Sequence, residues 1–411
     1  MKEITLKLTT MAHGGSALGQ DDNGRFIFVP FAIPGETVRA AVPEEKKEYA
    51  QGKLLAVETA VPDRVPPQCP HFGECGGCHF QHITYTKQLA FKQEVVKDQL
   101  QRLGGIKNTN VLPILPNASP WAYRQQITLF PAKGDGLGYW SPVKRQIIPI
   151  TQCPIADERL MALLQDIDLD LPELRKMTLR VDSEGELLAA MEVTGVEPPA
   201  LEIDFPVSVA IILPDNTAAS LVGDYYSLFE VNGRSFRVSP GCPFPPSLSG
   251  AEQISQAVTR YASHHPQART IQAYSGTGWL TAAIAPLSAG VIAIEPNPDA
   301  VADSAVNLDS FDNIHLYEDD PANVIYALDV EYDLLVIEPP SDGLTKPLVN
   351  HIRRESPPAI IYISSDLATM ARDSKQLGRA GYRLVEVQPV DVQPQTFHID
   401  TVSYWVHKQY K

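Results

Sequence analysis

At 411 residues, with a formal net charge of −15 and 44% hydrophobic residues, the chain can bury two or three separate cores. Its 20% charged residues and lack of low-complexity tracts exclude wholesale disorder. No apolar stretch reaches the roughly 18 residues a bilayer span needs. MKEITLKLTT has no apolar core of a leader or anchor, so a cytoplasmic chain is expected.

In chain order, residues 1–60 read as short strands parted by Gly- and Asn-rich turns: ITLKLTT, GGSALGQDDNG, RFIFVP, ETVRAAV and GKLLAVETA. That rhythm predicts a small antiparallel barrel. VPDRVPPQCP (61–70) is a Pro-rich linker. Over 84–103, Leu89, Val95, Val96, Leu100 and Leu103 recur at helical spacing before the stop Gly104-Gly105. From about 110 to 240 strand patterns and turns mix without a clear period. After PGCPFPPS, near 240–250, helices alternate with the short buried strands TIQAY, GVIAIEP, YDLLVIEPP, AIIYISS and YRLVEVQPV, which predicts a doubly wound sheet. Charge divides unevenly along the same axis. Residues 1–153 carry net +4, residues 154–250 net −10 and residues 251–411 net −9. A polyanionic partner would therefore meet the first third.

The five cysteines are not spread as a disulfide framework would be. CPHFGECGGC sets Cys69, Cys75 and Cys78 within ten residues, and Gly76-Gly77 lets the backbone wrap around one centre. A fourth ligand must be Cys153, in TQCPI, or Cys242, in PGCPF. Spacing alone leaves tetrahedral zinc and a four-iron cluster both open, although three close cysteines with one remote favour iron–sulfur binding.

The last third carries nucleotide-type signals. In TIQAYSGTGWL, Gly276 and Gly278 lie between strand and helix, where backbone can approach a ligand. Glu295, in IAIEPNPDA, ends the next strand and could accept from ribose hydroxyls. Together they favour an adenosine-bearing ligand, with NAD and S-adenosylmethionine (SAM) equally open. VIEPPSDGL ends a buried strand in Glu338 and a rigid Pro-Pro, an arrangement suited to an active-site loop. His398 and Asp400 are placed in a loop before a terminal strand, and Asp400 is a candidate acid–base group.

Taken together these residues resemble the iron–sulfur branch of the SAM-dependent RNA uracil-C5 methyltransferases, which act on ribosomal RNA, and the resemblance runs end to end. GGSALGQ…RFIFVPFAIPGETVRAAV is similar to that family's TRAM module, an OB-like RNA-binding barrel, while CPHFGECGGCHFQHITYTKQLAFKQ is similar to its cluster motif. YRQQ, GLGYW and QCPI look like its central domain. The resemblance implies a multidomain protein. Residues 1–60 would form the TRAM barrel, 61–245 the iron–sulfur and central α+β domain, and 246–411 a Rossmann-like SAM methyltransferase domain. It implies a [4Fe-4S] cluster on Cys69, Cys75, Cys78 and Cys153, and SAM at Tyr274, Gly276, Gly278, Glu295, Asp320 and Glu338. RNA, specifically ribosomal RNA, is the implied partner of a monomeric chain that meets no membrane.

The reactive groups depart from the family pattern. The family adds a cysteine thiolate to uracil C6, transfers the methyl group to C5 and removes the C5 proton with a carboxylate. The family's Ser-Cys-Asn-Pro turn reads Ser364-Ser365-Asp366-Leu367, so Ser365 stands at the nucleophile's position. A free thiol has a pKa of about 8.5 and supplies some thiolate at neutral pH, whereas an unactivated hydroxyl supplies essentially none. Asp400 stands at the general base, one methylene shorter than the usual glutamate. Asp-Pro-Pro-Arg becomes Glu338-Pro339-Pro340-Ser341, Gln272 replaces the acid opening the first SAM motif, and Cys242 takes a SAM-contacting glutamine's place. Trp279, in place of a small polar residue, would crowd the methionine end. The expectation is a non-catalytic RNA-binding relative. The alternative is an active methyltransferase working on uridine C5 with an unusual nucleophile, or on another atom.

Overall fold

A computed structural model describes all residues except 1, 46–47, 108, 135, 169–170, 197–201, 204, 216, 329 and 411; side chains 43–45 are likewise left undescribed. Strands β1 (Lys2–Met11), β2 (Ser16–Gln20), β3 (Phe26–Pro30), β4 (Thr37–Glu45) and β5 (Tyr49–Thr59) close into a barrel of order β1-β2-β3-β5-β4. Alternation points Leu6, Leu8, Ile27, Val29, Val38 and Ala40 inward as the barrel's own core. The linker is fastened to it. Arg64 holds buried Glu36 with two hydrogen bonds of 2.6 and 2.8 Å, and Ile33 N–H donates to the same carboxylate.

Helix α1 (Tyr85–Arg102) follows the predicted span. Phe91, Val95, Val96 and Leu100 are buried along one face, whereas Leu103, expected on that face, is 43% exposed beyond the last turn. This face packs into the core of the C-terminal half rather than into the middle of the chain. The two-residue strand β6 (Asn110–Val111) also joins the C-terminal sheet. The stretch without clear period is a seven-stranded sheet of order β13-β12-β11-β10-β7-β8-β9. Its strands are β7 (Gln126–Pro131), β8 (Leu137–Ser141), β9 (Gln146–Pro149), β10 (Leu174–Val181), β11 (Leu187–Val193), β12 (Ser208–Ile212) and β13 (Ala218–Val222). Helix α2 (Glu158–Asp166), capped by the Asp157 carboxylate accepting from Arg159 N–H, covers it. The hairpin β14 (Ser227–Val231) and β15 (Arg234–Val238) packs Val231 and Phe236 against α3 (Leu248–Ala262).

The C-terminal strands are β16 (Ala268–Ala273), β17 (Ser288–Glu295), β18 (Ile314–Glu318), β19 (Leu334–Ile337), β20 (Ala359–Ser364), β21 (Tyr382–Val390) and β22 (Asp400–His407). Between them lie α4 (Trp279–Ile284), α5 (Pro298–Asn307), α6 (Pro321–Leu328), α7 (Lys346–Glu355) and α8 (Leu367–Arg379). The order is β18-β17-β16-β19-β20-β22-β21-β6, with β16 to β20 parallel and β22 antiparallel to both neighbours. The strand order reverses between β16 and β19, and ligands bind at the carboxyl ends of strands beside such a switch point.

Candidate functional site

A cavity of ≈ 500 Å³ opens at that reversal. Tyr274, Gly276, Glu295, Glu338, Ser365 and Asp400 all line it, though they come from five strand ends and turns spread over some 125 positions of sequence. At its base the chain leaves β16 through Tyr274, which is held at φ 60, a costly conformation for a residue with a Cβ. The next turn aims Gly276 N–H at Glu295, whose Oε2 accepts at 2.8 Å while Oε1 accepts from Asn297 N–H at 2.9 Å. Glu295 thus fixes the glycine turn and keeps lone pairs toward the cavity. Its carboxyl is nevertheless pushed up in pKa by burial.

Three acids face one another across the cavity. Burial raises Glu338 to about 8, with the neighbouring charges of Asp400 and Glu295 adding to the shift. Asp400 rises to about 7, again chiefly through burial, against the opposing pull of Lys92. Asp400 Oδ2 is buried without a hydrogen-bond partner. It opens β22, paired with Val390, rather than lying in a preceding loop as the sequence suggested. Ser365 is exposed on the cavity wall, and among the described residues no histidine or carboxylate is hydrogen-bonded to its hydroxyl. Asp366 instead caps α8, accepting from Thr369 N–H at 2.7 Å.

Two of the expected cofactor residues stand outside the cavity. Gly278 (φ +84) caps α4, where an added Cβ would lie 2.9 Å from Leu308 Cδ1, so its role is packing. Asp320 accepts from Ala322 N–H at the start of α6 and lines a separate groove between α6 and α7, though its charge still reaches Tyr274. Gln272 turns into the core to accept from the Thr281 hydroxyl, and Cys242 is buried with Phe229 and Val238, so neither reaches the cavity. Trp279 does line it, but its indole leans on Phe244, which stacks on Phe229. Phe244 and Gln393 are cavity residues the sequence did not single out; PGCPFPPS offered the only hint of the first.

A second pocket gathers Cys69, Cys75, Cys78 and Cys153, the last reaching in from the turn before α2. Cys242 is not part of it. Burial raises the thiols of Cys69, Cys75 and Cys78, the last to about 12, so thiolates here need positive charge to persist. Gly77 N–H donates to Cys75 Sγ at 3.3 Å. Three further donors line the pocket with buried atoms that have no partner: Gln81 Nε2, Arg124 Nε and Tyr139 Oη. Four thiols ringed by unpaired donors suit a thiolate-bound, negatively charged group. Among the described residues no three His, Cys, Asp or Glu side chains lie at single-ion spacing. The pockets adjoin, since Arg124 of the second donates to Gln393 of the first at 3.2 Å.

A Rossmann-like sheet with an acid-lined cavity at its switch point, preceded by a small closed barrel, defines a protein of the nucleotide-cofactor-binding α/β class with an appended barrel module. Residues 2–55 match the TRAM domain. An uncharacterized RNA methyltransferase of Gloeobacter violaceus is 30% identical over 97% of this chain and 95% of its own length. The 23S rRNA (uracil(1939)-C(5))-methyltransferase RlmD of Shewanella sediminis is 28% identical over 98% of this chain and 95% of its own. Among solved structures, the Pyrococcus abyssi tRNA (uracil-54, C5)-methyltransferase in complex with S-adenosyl-L-homocysteine superposes with a TM-score of 0.71 at 21% identity. That alignment covers 98% of this chain and 100% of that one. The chain belongs to the RNA methyltransferase family that includes the uracil-C5 enzymes.

Proposed function

We infer that this protein is an RNA-binding member of the family that keeps a SAM site and an iron–sulfur site but does not form 5-methyluridine through a covalent uracil adduct. The observation that carries the reading is Ser365: an exposed hydroxyl at the nucleophile's position, with acids for neighbours and, among the described residues, no hydrogen-bonded base. Removing a proton from that hydroxyl creates a negative charge beside the acids Asp366 and Asp400, with no cation paired to it among the described residues. Glu295 would hold ribose hydroxyls, Gly276 would admit the backbone close to the ligand, and Tyr274 would flank it. SAM, when bound, supplies an electrophilic methyl group. The TRAM relatives and the positively charged first third support RNA as partner, ribosomal RNA being the class named for one relative.

Cys69, Cys75, Cys78 and Cys153 would hold a [4Fe-4S] cluster. The four cysteines share one pocket with the buried donor atoms Gln81 Nε2, Arg124 Nε and Tyr139 Oη, which suits a negatively charged thiolate-bound group. Its expected role is structural, bracing the loop that holds it against the β8–β9 hairpin.

One observation favours a second reading. Glu338 and Asp400, poised near 8 and 7, are suited to take a proton at neutral pH from a nucleophile that needs no adduct. The test pairs calorimetric titration of SAM with nucleoside mass spectrometry of RNA incubated with the protein and isotope-labelled SAM. The expected result is SAM binding with no labelled 5-methyluridine from wild type. Labelled 5-methyluridine made by wild type, and lost in Ser365→Ala, would overturn the reading. Label on another nucleotide, abolished by Glu338→Gln, would establish the second.

A further inference from the structure

The β8–β9 hairpin presents an aromatic, cationic face that the cavity does not use. Trp140 is 52% exposed with no ring packed against it among the described residues; Val143 is exposed in the β8–β9 turn, and Phe130 is exposed on β7, paired with Gly138 of β8. Lys144 and Arg145 lie in the β8–β9 turn and Lys133 in the β7–β8 turn, against a single acid in the sequence from 126 to 150. Lys133 and Arg145 have no ion pair among the described residues. Lys144 meets Glu74 at 2.7 Å, but both side chains are about half exposed, and such a pair contributes little in water.

This face is rigidly supported by the cysteine loop. Gly76 N–H donates to Trp140 O, and a Cβ on Gly76 would stand 3.0 Å from that oxygen and 3.2 Å from Pro142 Cδ. Ser141 is buried, donating to Glu74 O at 2.7 Å and accepting from Lys144 N–H at 3.1 Å. On the loop's other flank, His79 and Phe80 N–H both donate to Gln395 O, and the His79 ring lies 4.5 Å from that of Phe397. The cysteine loop is thus wedged between the hairpin and the segment leading to Asp400.

An exposed indole on a stiff support beside cations is the arrangement that holds single-stranded nucleic acid, by base stacking and phosphate neutralisation. We propose that the antiparallel strands β7 to β9 form an RNA-binding surface on which Trp140 stacks an unpaired base while Lys144 and Arg145 beside it, and Lys133 in the β7–β8 turn, neutralise the flanking phosphates. The inference rests on the RNA-binding reading above and assigns that reading a surface outside the barrel.

The test is fluorescence anisotropy with a labelled single-stranded RNA of mixed sequence, across a salt series, using the full-length protein. Trp140→Ala weakens binding about tenfold or more, and Trp140→Phe retains most of the affinity. Lys133→Ala combined with Lys144→Ala lowers the slope of log K against log salt by about 1.4. Thermal melts matching wild type show that the exposed variants still fold. If wild type binds and Trp140→Ala binds equally well with the same slope, the hairpin is not the surface and a protein partner becomes its better occupant. If wild type itself does not bind, the RNA-binding reading falls and this surface with it.

Discussion

Ser365 and Lys92 illustrate how differently single residues act in this chain. Ser365 touches almost nothing, so its identity bears on chemistry and hardly on folding. Lys92 is 1% exposed on α1, its Nζ 2.5 Å from buried Asp391 and 3.0 Å from Gln393 O. Burial lowers its pKa and the Asp391 carboxylate opposes that shift. Such a pair need not stabilise relative to an apolar one, but breaking it strands a charge. Lys92→Met therefore costs about 3–5 kcal/mol in urea unfolding, and Lys92→Met with Asp391→Leu recovers much of the loss. Ser365→Cys changes stability by no more than about 0.5 kcal/mol in the same assay.

The glycine turn shows one element's demands. Gly278 combines φ +84 with a Cβ direction blocked by Leu308 Cδ1 at 2.9 Å and Ser304 Oγ at 3.0 Å. Gly278→Ala forces α4 away from α5 and disturbs Gly276 beside it. The expected outcome is a stability loss of about 1–3 kcal/mol from strain and overpacking, with SAM affinity falling more steeply than in Trp279→Phe, read by calorimetry. Elements with a strong pattern were legible in the sequence: the barrel strands and α1 by their periods, and the strands running into Glu295 and Glu338 as short apolar runs closed by an acid and Pro. β18 was not, because its residues are half-buried or exposed with no buried stripe. β11, and the end of β10 at Leu179–Val181, were obscured for the opposite reason, being buried on both faces, which erases alternation. The cysteine ligand set depended on resemblance, since spacing could not choose between Cys153 and Cys242. The cavity's electrostatics were illegible, because three acids from three strand ends become neighbours only when the sheet forms.

Across the whole molecule, sequence-distant modules share polar seams: Arg64 with Glu36, Gln88 with Gln395, Lys92 with Asp391, and Arg124 with Gln393. The Lys92 and Arg124 seams reach the acid cluster, so its protonation is a property of the assembled fold and of stability. Glu338 and Asp400 have folded pKa values near 8 and 7, above their ordinary values of 4.5 and 3.8, so the native state holds more protons than the unfolded one between those limits. Stability contributed by these groups is therefore complete at low pH and is lost as pH rises through about 7 to 8. His82 and His398 act oppositely. Burial lowers both to about 4 from 6.5, so their contribution grows as pH rises to 6.5 and then stops changing. The two effects oppose each other below 6.5, leaving the acids unopposed above it. Thermal midpoints should fall between pH 6.5 and 8, and Glu338→Gln, which removes the largest shift while keeping the shape, should flatten that fall. A midpoint that rises over the same interval, or a Glu338→Gln profile parallel to wild type, would mean that the carboxyls are ionised in the native cavity and that the acid cluster is hydrated rather than dry.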